Sequence, residues 1–369
     1  MRKKLKRSTT LPNKPFIVHP NIEKLSREEW LEARAAVNGG YRIGGSDCSV
    51  VYTPYVGPMC CNPWKTKLEL YKELRKEPIV LPKEINQEAV DNGHRFEREI
   101  AEKFCKQKGF KLIEDNAMYQ SAEYPFMMAD FDFLVETPDG IFGLEIKWTD
   151  ASQWKKLNNI RDGIAPPNYE AQIRHYMAVS GLPGWWLAMG SCQGNVNPDV
   201  ITDIQSMLIL RDMEEEKRLI DAEESFIDDT KIGELPSLEE IDGKTALEAL
   251  RRVYGQGDPE VPEVFFSKKH ESHFRGMLEA SEKIDALKSQ IKATEVEYDK
   301  HAAAIGEMVK EGRRGVYTDD TTGETIVFDW KVRESNRFQE KAFQADHPDM
   351  YEEYKKKSFS KSAGISKKK

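Results

Sequence analysis

The sequence predicts an α/β fold, a mixed β-sheet flanked by helices, followed by a mostly helical C-terminal extension. Three observations carry this. Between residues 21 and 210, segments with apolar residues at helical spacing alternate with short runs in which apolar and polar residues alternate, the pattern of a sheet covered by helices. In residues 127–148 two such runs flank Thr137-Pro138-Asp139-Gly140, whose residue types suit a tight connection. Beyond about residue 212 the composition turns charged and helical. The expected organisation is a flexible basic arm (1–20), an α/β domain (21–211) and an extension (212–369).

Bulk properties bound the reading. A chain of 369 residues, 39% hydrophobic and 32% charged, can bury a substantial core and carry more than one domain. No run approaches a membrane span, and the start, MRKKLKRSTTLPNKPF, lacks the apolar stretch of a secretory signal, so a cytoplasmic location is the expectation. Five cysteines without a repeated CxxC argue against a disulfide framework or a zinc module. The net charge of -8 runs against binding a polyanion, yet both ends are basic, with Arg2, Lys3, Lys4, Lys6 and Arg7 at the start and Lys355 to Lys357, Lys361 and Lys367 to Lys369 at the finish. These ends read equally as arms on DNA or as disordered solubilising tails. Much of the acidic excess lies in MEEEKRLIDAEESFIDD (213–229), which reads as a solvated helix face.

The elements follow in order. A helix over 26–37 opens with capping-box spacing (Ser26, Glu29) and a staple pair (Leu25, Trp30) and stops at Gly39-Gly40. Ile43-Gly44-Gly45-Ser46-Asp47 reads as a turn into a second helix, whose free N–H groups favour a phosphate; a plain N-cap by Ser46 or Asp47 is the alternative. A helix over 64–76 carries Leu68, Tyr71 and Leu74 on one face, and another over 87–108 carries Phe96, Ile100 and Phe104 before Gly109. Short strands at 110–113 and 117–120 lead to the 127–148 hairpin. A helix bearing Trp154, a loop, a helix over 169–179 capped by Asn168, and strands at 185–189 and 207–210 complete the domain. In the extension, Met277, Ile284, Ile291, Tyr298 and Ile305 recur every seven residues, interleaved with Ala280, Leu287, Thr294, His301 and Met308, as in a coiled-coil seam or a long helical hairpin. A β-hairpin (315–319, 324–332) and a short amphipathic helix follow.

The chemistry concentrates in the 127–148 hairpin. Ala129, Phe131, Phe133 and Val135 would form the apolar face of its first strand and Asp130 and Asp132 the acidic one. In the second strand Phe142, Leu144, Ile146 and Trp148 face a core while Glu145 and Lys147 project together. Asp132, Glu145 and Lys147 then reach one point. Two hard carboxylates suit Mg²⁺ or Mn²⁺, which lowers the pKa of bound water and offsets charge on a phosphorane-like transition state. The plain alternative is a solvated open face of a sheet.

Asp132 with Glu145-Ile146-Lys147 resembles the PD-(D/E)XK nuclease signature. Four blocks, EEWLEARAAV with IGGSD (28–47), NGHRFERE (92–99), MADFDFLVETPDGIFGLEIKW (128–148) and NYEAQIRHYMAVSG (168–181), are together similar to the YqaJ-type viral recombinase family, which includes lambda exonuclease. The resemblance covers roughly residues 25–210. It implies a restriction-endonuclease-like core and a metal-dependent exonuclease of a phage recombination system, digesting duplex DNA, 5′ to 3′, and leaving single strand for an annealing protein. It places Asp132, Glu145 and the Ile146 carbonyl on Mg²⁺ (Mn²⁺ substituting) and Glu97 on a second ion. Lys147 and Gln172 serve the attacking water, and Arg34, Ser46 and Tyr176 hold phosphate or DNA. It also implies a homo-oligomer, a ring-shaped trimer. One departure is Phe133, where the family commonly has glycine after the aspartate; this keeps Asp130 open as the ligand. Some superfamily members hold an iron–sulfur cluster, but Cys48, Cys105 and Cys192 do not fall in that arrangement and none is expected. An endonuclease with the same site, or an inactive DNA-binding or assembly module, are the competing readings.

Overall fold

The computed structural model describes residues 6–7, 10–55, 61–81, 86–193, 197–238, 241–255, 261–331 and 338–355, in two compact units, Met1–Gly255 and Gln256–Lys369. The expected arms at residues 2–4 and 356–369 lie outside the described residues, as do the side chains of Lys6 and Arg7.

The strands of the first unit are β1 (Lys6–Arg7), β2 (Phe16–His19), β3 (Lys111–Glu114), β4 (Met118–Gln120), β5 (Met128–Asp130), β6 (Phe133–Thr137), β7 (Gly140–Thr149), β8 (Gly184–Gln193) and β9 (Asn197–Leu210). Its helices are α1 (Arg27–Ala36), α2 (Gly45–Val51), α3 (Lys67–Leu74), α4 (Gln87–Lys108), α5 (Trp154–Arg161), α6 (Pro167–Ser180), α7 (Met213–Ile232) and α8 (Gly243–Tyr254). The main sheet runs β3-β6-β7-β8-β9, mixed because β7 and β8 are parallel while the other neighbours are antiparallel. A smaller sheet has the strand order β1-β2-β4-β5. The mixed α/β class is as the sequence predicts.

Helices cover both faces of the main sheet. On one, Phe96, Ile100 and Phe104 of α4 pack against Phe133, Val135, Phe142, Leu144 and Ile146. On the other, Ile173, Tyr176 and Met177 of α6 and Leu157 and Ile160 of α5 pack with Leu134, Trp185, Leu187 and Ile209. Both faces of β7 are thus buried, so Glu145, with no exposed surface, does not sit on a solvated face. The closest approach is at Gly143, paired with Trp185 across the parallel ladder. A Cβ there would lie 1.9 Å from Trp185 Cδ2, so only glycine lets the indole lie flat on β7. Gly143→Ala is expected to cost about 1–3 kcal/mol by overpacking, read as a lower urea midpoint; an unchanged midpoint would show that the indole moves freely.

Several elements depart from the sequence reading. The first hairpin strand is broken: β5 belongs to the small sheet and β6 to the main one. Phe131 packs with Tyr119, Tyr176 and Trp185, whereas Phe133 faces the α4 side, so the two do not share a face. Residues 11–19 are not a free lead, since Leu11 is buried and β2 pairs with β4. The caps differ as well. Gly44 precedes α2 without a side-chain cap, in place of Ser46 or Asp47, and α6 starts at Pro167, not after Asn168, because a first-turn proline loses no intrahelical bond.

The largest difference lies past residue 212. Leu219, Ile220, Phe226 and Ile227 of α7 join the core, and the compact unit continues to Gly255. The acids of α7 read as a solvated face are in part buried. Glu216 takes two 2.6 Å hydrogen bonds from Arg211, Glu215 accepts from the Tyr52 hydroxyl and Arg218, and Glu223, fully buried, pairs with His175 at 2.7 Å. Tyr52 and His175 reach Glu215 and Glu223 from distant stretches of chain, which composition does not reveal.

The second unit holds α9 (Glu271–Val309), β10 (Arg314–Thr318), β11 (Thr325–Asp329), α10 (Glu340–Asp346) and α11 (Pro348–Tyr354). β10 and β11 form the expected hairpin.

Candidate active site

The break between β5 and β6 builds the site. β6 starts at Phe133, opposite Leu144, so the β7 backbone beyond Leu144 has lost its ladder partner on that side. Asp132 takes its place, its Oδ2 accepting the Ile146 N–H at 2.8 Å. This anchors Asp132 beside Glu145 and Lys147, which β7 projects toward the α6 side. Lys147 donates to Glu145 Oε1 and stands 5.1 Å over the Tyr169 ring. The other carboxylate oxygen, Glu145 Oε2, is buried without a hydrogen-bond partner. Glu97, on α4, shares a cleft with Asp130 and Asp132.

Electrostatics tie these acids together. Burial, then the charge of Asp132, pushes Glu97 and Glu145 each up to about 8. Asp132 is itself raised by burial despite Lys147 nearby. Lys147 is half-buried, but Glu145 and Asp132 outweigh the desolvation penalty and hold its ammonium protonated well past neutrality. Carboxylates that resist ionising together, with one oxygen left bare, form a donor set that a hard divalent cation satisfies. Glu97, Asp132, Glu145 and the Ile146 carbonyl fit that role by type.

The sign of the pH dependence follows. A carboxylate raised above its unfolded value of 4.5 contributes stability below that value, and the contribution is lost as pH climbs through the folded value. In chelator the melting temperature is therefore expected to fall between about pH 5 and about pH 9, and added Mg²⁺ to restore more of it at the alkaline end. A flat profile would contradict a shared-charge site.

The remaining predicted residues are placed as follows. Gln172 donates from Nε2 to the Tyr176 hydroxyl at 2.9 Å. Tyr176 is 5% exposed, its ring among Phe131 and Trp185, which corrects its reading as a DNA-facing residue: it supports Gln172. Ser46 is exposed near the start of α2. Arg34 is no loose surface charge. It stacks on Trp30 at 4.4 Å, pairs with Asp47 at 3.3 Å and Asp130 at 3.5 Å, and lies so near Gly44 that a Cβ there would sit 2.7 Å from its Nη2. Asp130 also accepts from Trp30 Nε1 at 3.1 Å. Asp130 thus belongs to the arginine, and Asp132 to the acid cluster.

Sequence reasoning missed Trp30, Tyr169 and the Asp47–Lys65 pair (2.8 Å). Trp30 and Arg34 do share the i, i+4 spacing of α1, a signal legible beforehand; the other two join residues across the fold. The tightest group of potential metal-ligand atoms among the described residues lies elsewhere. Cys48, His175 and Glu223 have ligand atoms within 4.8 Å of one another, but His175 is bound at both nitrogens, to Glu223 at 2.7 Å and the Met128 carbonyl at 2.8 Å. It is a buried staple holding α7 and β5 to α6.

Comparison with known proteins matches this stretch of chain. Residues 29–183 match the YqaJ-like viral recombinase domain. This agrees with the resemblance read from the four sequence blocks, and the matched stretch spans every site residue from Arg34 to Tyr176. A protein named YqaJ from Bacillus subtilis (strain 168), itself uncharacterized, is 29% identical over 344 residues, 93% of this chain and 95% of its own. Among solved structures, the alkaline exonuclease LHK-Exo from Laribacter hongkongensis is 21% identical, with a TM-score of 0.41, over 56% of this chain and 93% of its own. A phage related exonuclease from Haemophilus somnus 129PT is 14% identical, with a TM-score of 0.35, over 53% and 96%. Among the described residues no helix is long and apolar enough to cross a membrane.

Proposed function

We propose that this chain is a metal-dependent DNA exonuclease of a phage-type recombination system, degrading one strand of linear duplex DNA from a 5′ end in the bacterial cytoplasm. The observation that carries the reading is the convergence of Asp132, Glu145 and Lys147 just before the start of β6, with Glu97 sharing the cleft of Asp132. Asp132, Glu145 and the Ile146 carbonyl would hold Mg²⁺, with Mn²⁺ able to substitute, and Glu97 would help hold a second ion. Such ions, when bound, lower the pKa of water and offset phosphate charge.

The residues supply the rest. An ammonium held protonated by two carboxylates is a poor base, so Lys147 orients the attacking water and offsets charge on the phosphate. Gln172, fixed by Tyr176, hydrogen-bonds the same region. Water oxygen bonds to phosphorus as the bond to the 3′ oxygen breaks; that oxygen leaves as the 3′-hydroxyl of the released 5′-terminal nucleotide, and the phosphate stays on the new 5′ end of the remaining strand. Arg34 and Ser46 would hold a neighbouring phosphate, Arg34 exchanging one carboxylate partner for it. The exposed single strand would pass to an annealing protein. A ring-shaped trimer, implied by the family resemblance, would keep the enzyme on its strand.

The test uses full-length protein with Mg²⁺, on linear duplex bearing 5′-phosphate or 5′-hydroxyl ends and on a covalently closed circle. Linear DNA is expected to be degraded, faster from the phosphorylated end, with chelator stopping the reaction and the circle left intact. Cutting of the circle would replace this reading with an endonuclease. No cutting of either would leave a DNA-binding module.

A further inference from the structure

Helix α9 is 39 residues long and none of them is buried, a span on the order of 60 Å at 1.5 Å per residue. Its apolar residues are not scattered. Ile284, Leu287, Ile291 and Tyr298 follow the first and fourth positions of a heptad, and Ile291 is 58% and Tyr298 71% exposed. The β10–β11 hairpin covers only the last turns: Trp330 lies over Gly306, where a Cβ would be 2.7 Å from its ring, and Gly315 meets Val309 and Ile305. Upstream, among the described residues, the seam is bare. An apolar seam of this length, interrupted at Thr294 and His301, is seldom left in water, and an isolated helix draws little stability from propensity alone.

The charges beside the seam say what covers it. The flanking heptad positions carry four charges, Lys283 and Lys288 in the N-terminal half and Glu295 and Glu297 in the C-terminal half. In a parallel pair of these helices the position before one seam residue meets the position after the next on the partner. Lys283 would then face Lys288 of the other copy, and neither glutamate would meet a lysine. In an antiparallel pair the basic half of each helix lies along the acidic half of the other. We propose that the occupant is a second copy of this chain, and that two α9 helices pair antiparallel, doubling whatever assembly the first unit forms by itself.

The test measures the mass of the full-length protein by light scattering and sedimentation. Leu287→Asp with Ile291→Asp is expected to halve the mass and to lower the helix signal. Tryptophan fluorescence should stay unchanged, because six of the seven tryptophans lie in the first unit. Lys283→Glu with Lys288→Glu is expected to dissociate the pair, and adding Glu295→Lys with Glu297→Lys in the same chain to restore it, since the swap reverses every contact of an antiparallel pair. A parallel pair would keep like charges opposed and would not recover. A mass unaffected by the aspartates, or no recovery in the fourfold variant, overturns the proposal.

Discussion

Glu145→Gln is expected to abolish cleavage of linear duplex, a loss of about 100-fold or more, while raising the melting temperature of the metal-free protein. The two effects share one cause. Glu145 is fully buried, its Oε2 has no hydrogen-bond partner, and Asp132 beside it opposes its ionisation. That arrangement costs stability without a cation and suits one when it is present. Glutamine keeps the shape and an oxygen for the Lys147 ammonium but removes the charge. A gain of about 1 kcal/mol would raise the melting temperature by about 2–4 °C in a unit of this size. Melting in chelator and in Mg²⁺ at about pH 8 reads it out: the variant melts higher than the native chain in chelator and gains less from the ion. A variant that melts lower in chelator, or that still cuts, would mean that Glu145 is a structural acid.

Lys147→Ala should also abolish cleavage, by about 100-fold or more, but with the opposite effect on stability. Lys147 is the cation that offsets Glu145 and Asp132. Its removal strands the buried Glu145 and the half-buried Asp132, which stays costly until they take up protons. The metal-free variant is expected to melt lower than the native chain, and the deficit to shrink as pH falls and the acids protonate. Lys147→Arg tests position: the guanidinium restores charge and stability, yet its fork does not place a donor where the ammonium was. If Lys147→Arg recovered full cleavage, Lys147 would act as charge alone. If Lys147→Ala cut normally, the proposed mechanism would fail.

Much of this was legible beforehand because the signals are local. The Ser26–Glu29 capping box is present as read, and α4 runs from Gln87 to Lys108 with a left-handed Gly109 after it, since caps and apolar spacing act within a few residues. Alternation in residues 142–148 placed Glu145 and Lys147 together, opposite Phe142, Leu144 and Ile146. Alternation also misled. Carried through residues 129–135 it put Phe131 and Phe133 on one face, whereas the chain changes sheets between them.

The sequence by itself determined the α/β class, the resemblance of residues 29–183 to the YqaJ-like domain, and the residues with the right chemistry at the right spacing. Tertiary structure decided which of them meet. It set Asp132 on the Ile146 N–H, turned Asp130 to Arg34 and Trp30, and buried Tyr176 and the α7 acids. It also carried α7 and α8 into the first unit. The physical reason is range: helix caps and strand periodicity are fixed by neighbours in sequence, while burial, ion pairing and the pKa of a carboxylate depend on groups brought close only by folding.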